Sequence, residues 1–118
     1  MGLVNSDALV DLLGVADRTH AVLANNIANL NTPGFRSQRV RFAQQLDAIL
    51  SESGDLNPGK LMRTEVYEPG FPDVGLDGND VILEREIVEM NKNALKMRFY
   101  LAVLGSRIRR VRSAIDGR

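Results

Sequence analysis

His20 is the one imidazole in the chain, and imidazole is the side chain that most often serves as a general base or metal ligand near neutral pH. The sequence around it offers neither role a partner. Leu23 and Ala24 occupy the positions three and four residues on, and the chain has no cysteine. His20 falls instead in an apolar helical pattern, where we expect its ring to pack. The sequence therefore predicts a protein that is not an enzyme and holds no cofactor.

A partial calcium-loop pattern lies farther along the chain. Positions 1, 5, 6 and 12 of that motif are occupied by Asp73, Asp77, Gly78 and Glu84. Position 3 is Gly75, which has no side-chain oxygen, and prolines stand where the motif needs an entering helix. A turn followed by a helix cap, with Glu84 favouring the helix dipole, accounts for the same residues. We therefore expect no metal site here.

The charges of the chain cancel overall but are unevenly distributed. Residues 47 to 90 contain 11 acids and 3 bases, whereas residues 91 to 118 contain 8 bases and 1 acid. Four arginines cluster near the C-terminus, namely Arg107, Arg109, Arg110 and Arg112. Such a cluster could bind a phosphate backbone, although few aromatic residues accompany it. One function that fits is a soluble coiled-coil adaptor that binds nucleic acid or an acidic protein through this basic tail.

Two segments carry residues in alternating steps of four and three, which is the spacing of a helical seam in a coiled coil. The first seam is Leu9, Leu13, Ala16, His20, Leu23, Ile27 and Leu30. The second seam is Leu83, Ile87, Met90, Ala94, Met97, Leu101, Leu104, Ile108, Val111 and Ile115. Two helices cannot enclose a core, so we expect other chains to cover much of these seams.

The 118 residues predict a single domain dominated by α-helix. We expect a first helix over 7–30 and a second over 81–116. The intervening 31–80 should hold a turn, a short helix from Phe42 to Leu50 and a loop with a β-hairpin around Leu61 to Tyr67. The first residues do not form a secretory signal peptide, and no apolar stretch approaches the ~20 residues of a membrane-spanning helix.

Asparagines and a proline-glycine turn mark the end of the first helix. Asn25, Asn26 and Asn29 flank the first seam, and Pro33-Gly34 fits the two corners of a type II turn. The amides either cap the carbonyl groups of the turn or organise a packing junction between subunits. We favour the junction between subunits.

The stretch LANNIANLNTPGF, from Leu23 to Phe35, resembles the N-terminal signature of the bacterial flagellar axial proteins, the rod and hook family. The segment DGNDVILERE, which is residues 77–86, resembles the short proximal rod members of this family. The resemblance covers roughly residues 7–46 and 75–116. The large inserted middle domain of the hook and distal rod members is missing from this chain.

This resemblance implies a structural subunit whose terminal helices form an antiparallel coiled-coil hairpin with a short irregular or β-hairpin middle. It implies self-assembly with other rod proteins in the periplasmic rod of the basal body, and transmission of motor torque. The implied partners are this chain itself, the other rod proteins, the rod-to-membrane-ring adaptor, the membrane ring and the flagellar type III export gate. Nucleic acid and direct membrane insertion are not implied.

The family resemblance also implies export without a cleaved signal peptide. Phe42 and Leu46 match the spacing of a short motif read by the export gate, a spacing that one turn of amphipathic helix would also give. The predicted assembly interface comprises both seams without Ala16 and His20, together with Asn25, Asn26, Asn29, Pro33, Gly34 and Phe35.

Overall fold

The fold is a helical hairpin with a small sheet against one side. The computed structural model describes residues 6–42 and 64–117. Helix α1 spans Ser6–Ala28 and helix α2 spans Leu83–Asp116, so every helix end lies within two residues of its predicted position. The helices pack against each other in opposite directions, which confirms the predicted hairpin. Of the predicted short helix from Phe42 to Leu50, which contains Leu46, only Phe42 lies within the described residues, and it ends a strand instead.

The sheet consists of two short antiparallel strands. Strand β1 is Arg39–Phe42 and strand β2 is Thr64–Tyr67, with Arg39 opposite Tyr67 and Phe42 opposite Thr64. The β-hairpin predicted around Leu61 to Tyr67 contributes one described strand, β2, whose partner is β1, just after the turn. The guanidinium of Arg18 in α1 donates a 2.6 Å hydrogen bond to Thr64 Oγ1, which ties the sheet to the hairpin.

Local chemistry sets the ends of α2. Ile82 is extended and makes no side-chain cap, while Glu84 and Glu86 place negative charge in the first turn, where the helix dipole favours it. At the other end Gly117 adopts a left-handed φ of 71°, and its N–H donates to the carbonyl of Ser113. The second helix therefore ends at residue 116, as predicted.

The interior of the described protein is small and unusually polar. Its buried apolar residues are Ala8, Leu9, Ala16, Leu23 and Val81. Its buried polar residues are Asn26, Ser37, Asn79, Asp80, Glu86 and Asn93. The polar set is at least as large as the apolar one. Hydrogen bonds must therefore supply part of the stability that a wider hydrophobic core supplies in other proteins. Across the described ranges, neither helix is sufficiently long and apolar to span a membrane.

Helix α2 turns a different stripe toward α1 than its apolar pattern predicts. The amide of Asn93 donates a buried 2.7 Å hydrogen bond to the carbonyl of Ala16, and Glu86 is buried one heptad earlier. Ile87 and Leu101 are 44% and 54% exposed, so alternate positions of the predicted seam face away from α1. The two stripes share half-buried positions, which are Leu83, Met90, Met97 and Leu104.

On α1 the predicted seam is largely the observed one. Leu9, Ala16 and Leu23 are buried, and Leu13 is partly buried. His20 is exposed, so the predicted packing of its ring within the hairpin was wrong.

The far part of α2 extends past the described start of α1. The contacts of Asn93 with Ala16 and of Glu86 with Asn26 fix the register of the two helices. At that register Ser6 lies opposite the region just before Leu104. About a dozen residues of α2 therefore extend ~20 Å farther, at ~1.5 Å per residue. On this extension Ile108, Val111 and Ile115 are 55%, 59% and 78% exposed.

Candidate functional site

Asn26 is the central residue at the closed end of the hairpin, where α1 passes into the turn. Its side chain is fully buried. Its Nδ2 donates to the carbonyl of Gln38 at 2.8 Å, and the N–H of Gln38 donates back to Asn26 Oδ1 at 3.0 Å. The amide thus copies the paired hydrogen bonds of a β-ladder and joins α1 to the segment that leads into β1. Its second Nδ2 hydrogen goes to Glu86 Oε1, at 3.0 Å.

Glu86 gathers the hydrogen bonds of this region onto one carboxylate from α2. It is 1% exposed and accepts from Ser37 Oγ at 2.7 Å and from Arg39 Nη1 at 2.9 Å, besides Asn26. Arg39 Nη2 lies 2.8 Å from Glu86 Oε2, which completes a two-point ion pair. A buried charge is tolerated only when it is paired and hydrogen-bonded, and Glu86 meets both conditions.

Asp80 makes a second connection between the segment before α2 and the segment after the turn. Its Oδ1 accepts from the N–H of Ser37 at 2.5 Å, and Arg36 Nη1 lies 3.6 Å from its Oδ2. We call Asn26, Ser37, Arg39, Asp80 and Glu86 the polar junction. It fixes α1, the segment before β1 and the start of α2 relative to one another.

Asn79, in the segment before α2, holds the chain that follows the end of α1. Its Nδ2 lies 2.8, 3.1 and 2.9 Å from the carbonyl oxygens of Asn29, Leu30 and Thr32, and shares its two hydrogens among them. Its Oδ1 accepts from the N–H of Val81 at 2.7 Å. These three carbonyl groups lie just beyond the end of α1, so one side chain fixes the chain that follows α1 to the segment that precedes α2.

The predicted turn after α1 is confirmed. The N–H of Phe35 donates to the carbonyl of Thr32 at 3.2 Å, and Gly34 has the positive φ of 77° that a type II turn requires at its second corner. The N–H of Gly34 also donates to the carbonyl of Asp77 at 2.8 Å. A methyl group built on Gly78 would lie 3.5 Å from the Cα of Gly34, which shows how closely the two loops approach.

Phe71 shields one side of the polar junction. The guanidinium carbon of Arg39 lies 5.2 Å from the centre of its ring and that of Arg85 lies 3.8 Å from it. Arg85 in turn lies 3.8 Å from Asp73. Stacking of this kind places apolar surface over the charged groups and helps to keep water from them.

The asparagines singled out from the sequence serve different purposes. Asn26 is fully buried by its own chain, so in this conformation it is not accessible to another subunit, contrary to our preferred interpretation. Asn29 bonds to the carbonyl of Asn25 at 2.8 Å and its Oδ1 accepts from Thr32 Oγ1, which is the cap that the alternative interpretation describes. Asn25 is exposed. Phe35 is partly buried and Pro33 is exposed.

The acidic residues of the calcium-like pattern have other functions in the structure. Asp77 Oδ1 accepts from the N–H of Asn79 at 3.1 Å, as a turn residue does, and Asp73 faces Arg85. Over residues 6–42 and 64–117 there is no group of three or more histidine, cysteine or acidic side chains arranged to hold a metal ion.

Sequence reasoning missed Ser37, Arg39, Asp80 and Glu86 as members of one site. Their partners lie up to 60 residues away along the chain, for example Asn26 and Glu86, and heptad counting compares only neighbours on one helix. One signal was available in the sequence. Counted from Leu83, steps of three and four reach Glu86 and Asn93, just as steps of four and three reach Ile87 and Ala94. Two overlapping heptads on one helix indicate two packing faces.

This chain is similar to known proteins both in a family signature and in overall sequence. The family model described as "Flagella basal body rod protein" matches residues 16–36, which include Asn26 and the turn. A flagellar basal body rod protein FlgB of Aeromonas hydrophila is 30% identical over 116 aligned positions, covering 89% of this chain and 87% of that protein. The FlgB protein of Salmonella typhimurium is 28% identical over 125 positions, with 91% and 89% covered. That of Cereibacter sphaeroides is 30% identical over 123 positions, with 97% and 92% covered.

The fold and the polar junction define a slender helical-hairpin protein with a small core and an exposed aliphatic stripe. These are the features of a structural subunit. The chain belongs to the FlgB family of flagellar basal body rod proteins, and it is a structural component of the flagellar rod.

Proposed function

We propose that this chain is a subunit of the proximal rod that assembles with itself and with other axial proteins through its terminal helices. One observation carries the proposal. The polar junction closes the hairpin within one chain, whereas α2 leaves large aliphatic side chains in water along its outer stripe. Leu101, Ile108, Val111 and Ile115 are 54%, 55%, 59% and 78% exposed. A row of this kind favours contact with another protein surface.

Burial of the exposed stripe would contribute favourable free energy to association. Full burial of one aliphatic side chain is worth about 1.5–3 kcal/mol, so the part of this surface still exposed represents several kcal/mol per subunit. The residues of the predicted interface on the outer stripe are therefore available for assembly, whereas Leu9 and Leu23 are buried within the hairpin.

Torque transmission requires that a subunit keep its shape under load. The two helices of the hairpin are joined at one end by buried, charge-assisted hydrogen bonds. Such bonds are directional and strong, and close packing makes protein interiors stiff. We infer that the polar junction holds the angle between α1 and the start of α2 when neighbouring subunits pull on the stripe.

The proposal includes a periplasmic location in the basal body and export through the flagellar type III apparatus without a cleaved signal peptide. The proposed partners beyond other rod proteins are the rod-to-membrane-ring adaptor and the membrane ring. The small core supports this route, because a chain with little buried apolar surface is unfolded for passage at low cost. Phe42 is the last residue of β1, so its recognition with Leu46 by the export gate would take place before β1 has paired.

A strain that lacks the gene tests the proposal. Electron microscopy of its basal bodies should reveal no rods, and the intact chain should restore both rods and swimming. A chain truncated after Gly105 keeps the polar junction and removes the aliphatic extension of α2, so it should restore neither. Complete rods in the deletion strain would contradict the proposed function.

Export is tested separately. Phe42→Ala should lower the amount of chain secreted by the flagellar apparatus before it affects the stability of the purified protein. Secretion equal to that of the parent chain would reject the role of Phe42 and Leu46 at the gate.

A further inference from the structure

We propose that the outer stripe on the extension of α2, while no other subunit covers it, binds the surface of an anionic phospholipid membrane. The extension lies in the plane of the headgroups in this contact, with its aliphatic side chains toward the acyl chains and its arginines on the phosphates. The inference goes beyond the proposed function, since it names a partner for the free subunit. The contact excludes assembly because both use the same stripe.

The charge along α2 is not explained by assembly through aliphatic packing. Residues 90–115 hold 7 bases and no acid. Packing of aliphatic side chains between helices does not need a run of like charges, and the flanks of a coiled-coil seam usually combine glutamate with lysine. A helix with a basic polar face and an aliphatic stripe is instead typical of segments that lie on anionic membranes.

Two arginines flank the stripe as such a contact requires. At ~100° per residue, Ile108, Val111 and Ile115 fall within about 60° of the helix circumference. Arg107 and Arg112 lie about 40° outside the two edges of this arc. Together with the three aliphatic residues they line a shallow, mainly apolar groove along α2. Arginines in these positions extend their methylene groups along the apolar surface and reach the phosphates with their charged ends.

Other partners satisfy only part of this surface. A nucleic-acid backbone would bind the arginines but leave the aliphatic groove in water. A second copy of the chain would cover the groove but offers the arginines few free carboxylates, because several of its acids already pair within the chain, namely Glu65, Asp73 and Glu89. An anionic bilayer supplies phosphates and an apolar interior in one surface, so it satisfies both.

Vesicle co-sedimentation tests the contact with the full-length protein. The vesicles are made of phosphatidylcholine alone or of phosphatidylcholine with about 30% phosphatidylglycerol, and the anionic vesicles should bind the protein at least tenfold more tightly, to order of magnitude. Added salt should weaken this binding because it screens the charge of the headgroups. No binding to the anionic vesicles, or equal binding to both kinds, would overturn the proposal.

Two pairs of arginines separate docking of the groove from general attraction between charges. Arg107→Gln with Arg112→Gln removes the charges beside the groove and should lower the partition coefficient on anionic vesicles by about tenfold. Arg109→Gln with Arg110→Gln removes the same charge from exposed positions that lie about 100° outside the arc. This control should lower the coefficient by about threefold or less, because attraction to the surface falls off within ~10 Å. Circular dichroism verifies that each variant stays helical, and equal losses would reject the docked orientation.

A matched pair of valines tests the aliphatic part of the contact. Val111 and Val88 are 59% and 51% exposed on α2, and Val111 lines the groove whereas Val88 lies near the start of the helix. Val111→Ser should weaken binding to anionic vesicles by about fivefold and Val88→Ser by about twofold or less, since one variant alone loses apolar burial. Duplex DNA at equal phosphate concentration is the competitor. Release of the protein by DNA, with no effect of Val111→Ser, would assign the basic end to nucleic acid and overturn the proposal.

The vesicle experiments and the test of the proposed function can fail independently. Rods missing from the deletion strain, together with a protein that does not bind anionic vesicles, would overturn the membrane contact alone. Complete rods in that strain would refute the proposed function, and the vesicle experiments would still decide the membrane contact.

Discussion

The two ends of the hairpin differ in how their side chains are buried. At the closed end, the polar junction buries a carboxylate, a guanidinium and an amide with their partners inside one chain. At the open end, α2 continues beyond the described part of α1 with Ile108, Val111 and Ile115 exposed. The difference indicates a division of labour within one helix. The first half of α2 packs within the chain, and we propose that another chain covers the second half.

Breaking the polar junction should have the largest effect on stability. Arg39→Ala leaves the buried carboxylate of Glu86 without its ion pair, which should lower the free energy of unfolding by about 3–5 kcal/mol. Arg41→Ala, two residues along the same strand, is the control. Arg41 forms an exposed ion pair with Glu65, so its loss should cost under about 1 kcal/mol. Urea denaturation measures the free energy of unfolding of both variants. Equal losses would show that the buried ion pair stabilises the protein no more than the exposed one.

A neighbouring pair of asparagines gives a finer test of the closed end. Asn26→Ala removes the two hydrogen bonds to the backbone of Gln38 and one to Glu86, and should cost about 2–3 kcal/mol. Asn25→Ala changes an exposed side chain on the same turn of α1 and should cost under about 0.5 kcal/mol. Thermal or urea unfolding of the two variants should separate them clearly. A cost for Asn25→Ala as large as that for Asn26→Ala would reject the assigned contacts.

The turn after α1 should be sensitive to a substitution that changes only the backbone conformation that is allowed there. Gly34→Ala forces a side chain into a positive φ, although a methyl group there would meet no atom within 4 Å, so we expect a loss of about 1–2 kcal/mol. Gly105→Ala lies in the interior of α2, where alanine is the better helix former, and should stabilise by about 0.5–1 kcal/mol. Urea unfolding measures both changes in the free energy of unfolding, which should have opposite signs. No change for Gly34→Ala would contradict the type II turn.

Much of the fold was predictable because it depends on local rules. Apolar spacing placed α1 and α2, and the residues Pro33 and Gly34 gave the turn after α1. The polar junction was not predictable in this way, since Asn26 bonds both to Gln38 and to Glu86, and no single periodicity connects these residues.

The face of α2 that packs against α1 was also not predictable from periodicity alone. Heptad reasoning ranks apolar residues above polar ones, so it selected Ile87 and Ala94 where the hairpin uses Glu86 and Asn93. A glutamate is a poor core residue unless an arginine from elsewhere pairs with it, and Arg39 lies 47 positions away in the sequence. The apolar residues that heptad reasoning selected face outward, where they stay available for the predicted assembly interface.

Substitution of Ile108, at the open end, should change stability the least of these variants and assembly the most. Ile108→Asp alters an exposed position whose surroundings are arginine-rich, so the free energy of unfolding should change by no more than about 0.5 kcal/mol. Placing a charge in the aliphatic stripe should nevertheless prevent close contact with a neighbouring subunit. Stability and assembly should therefore separate in this variant.

The most direct measurement is electron microscopy of basal bodies from a deletion strain that expresses Ile108→Asp, with secretion of the variant verified by immunoblotting. The account predicts a folded, secreted protein and basal bodies without rods. Complete rods built from this variant would contradict the claim that the outer stripe of α2 is an assembly surface.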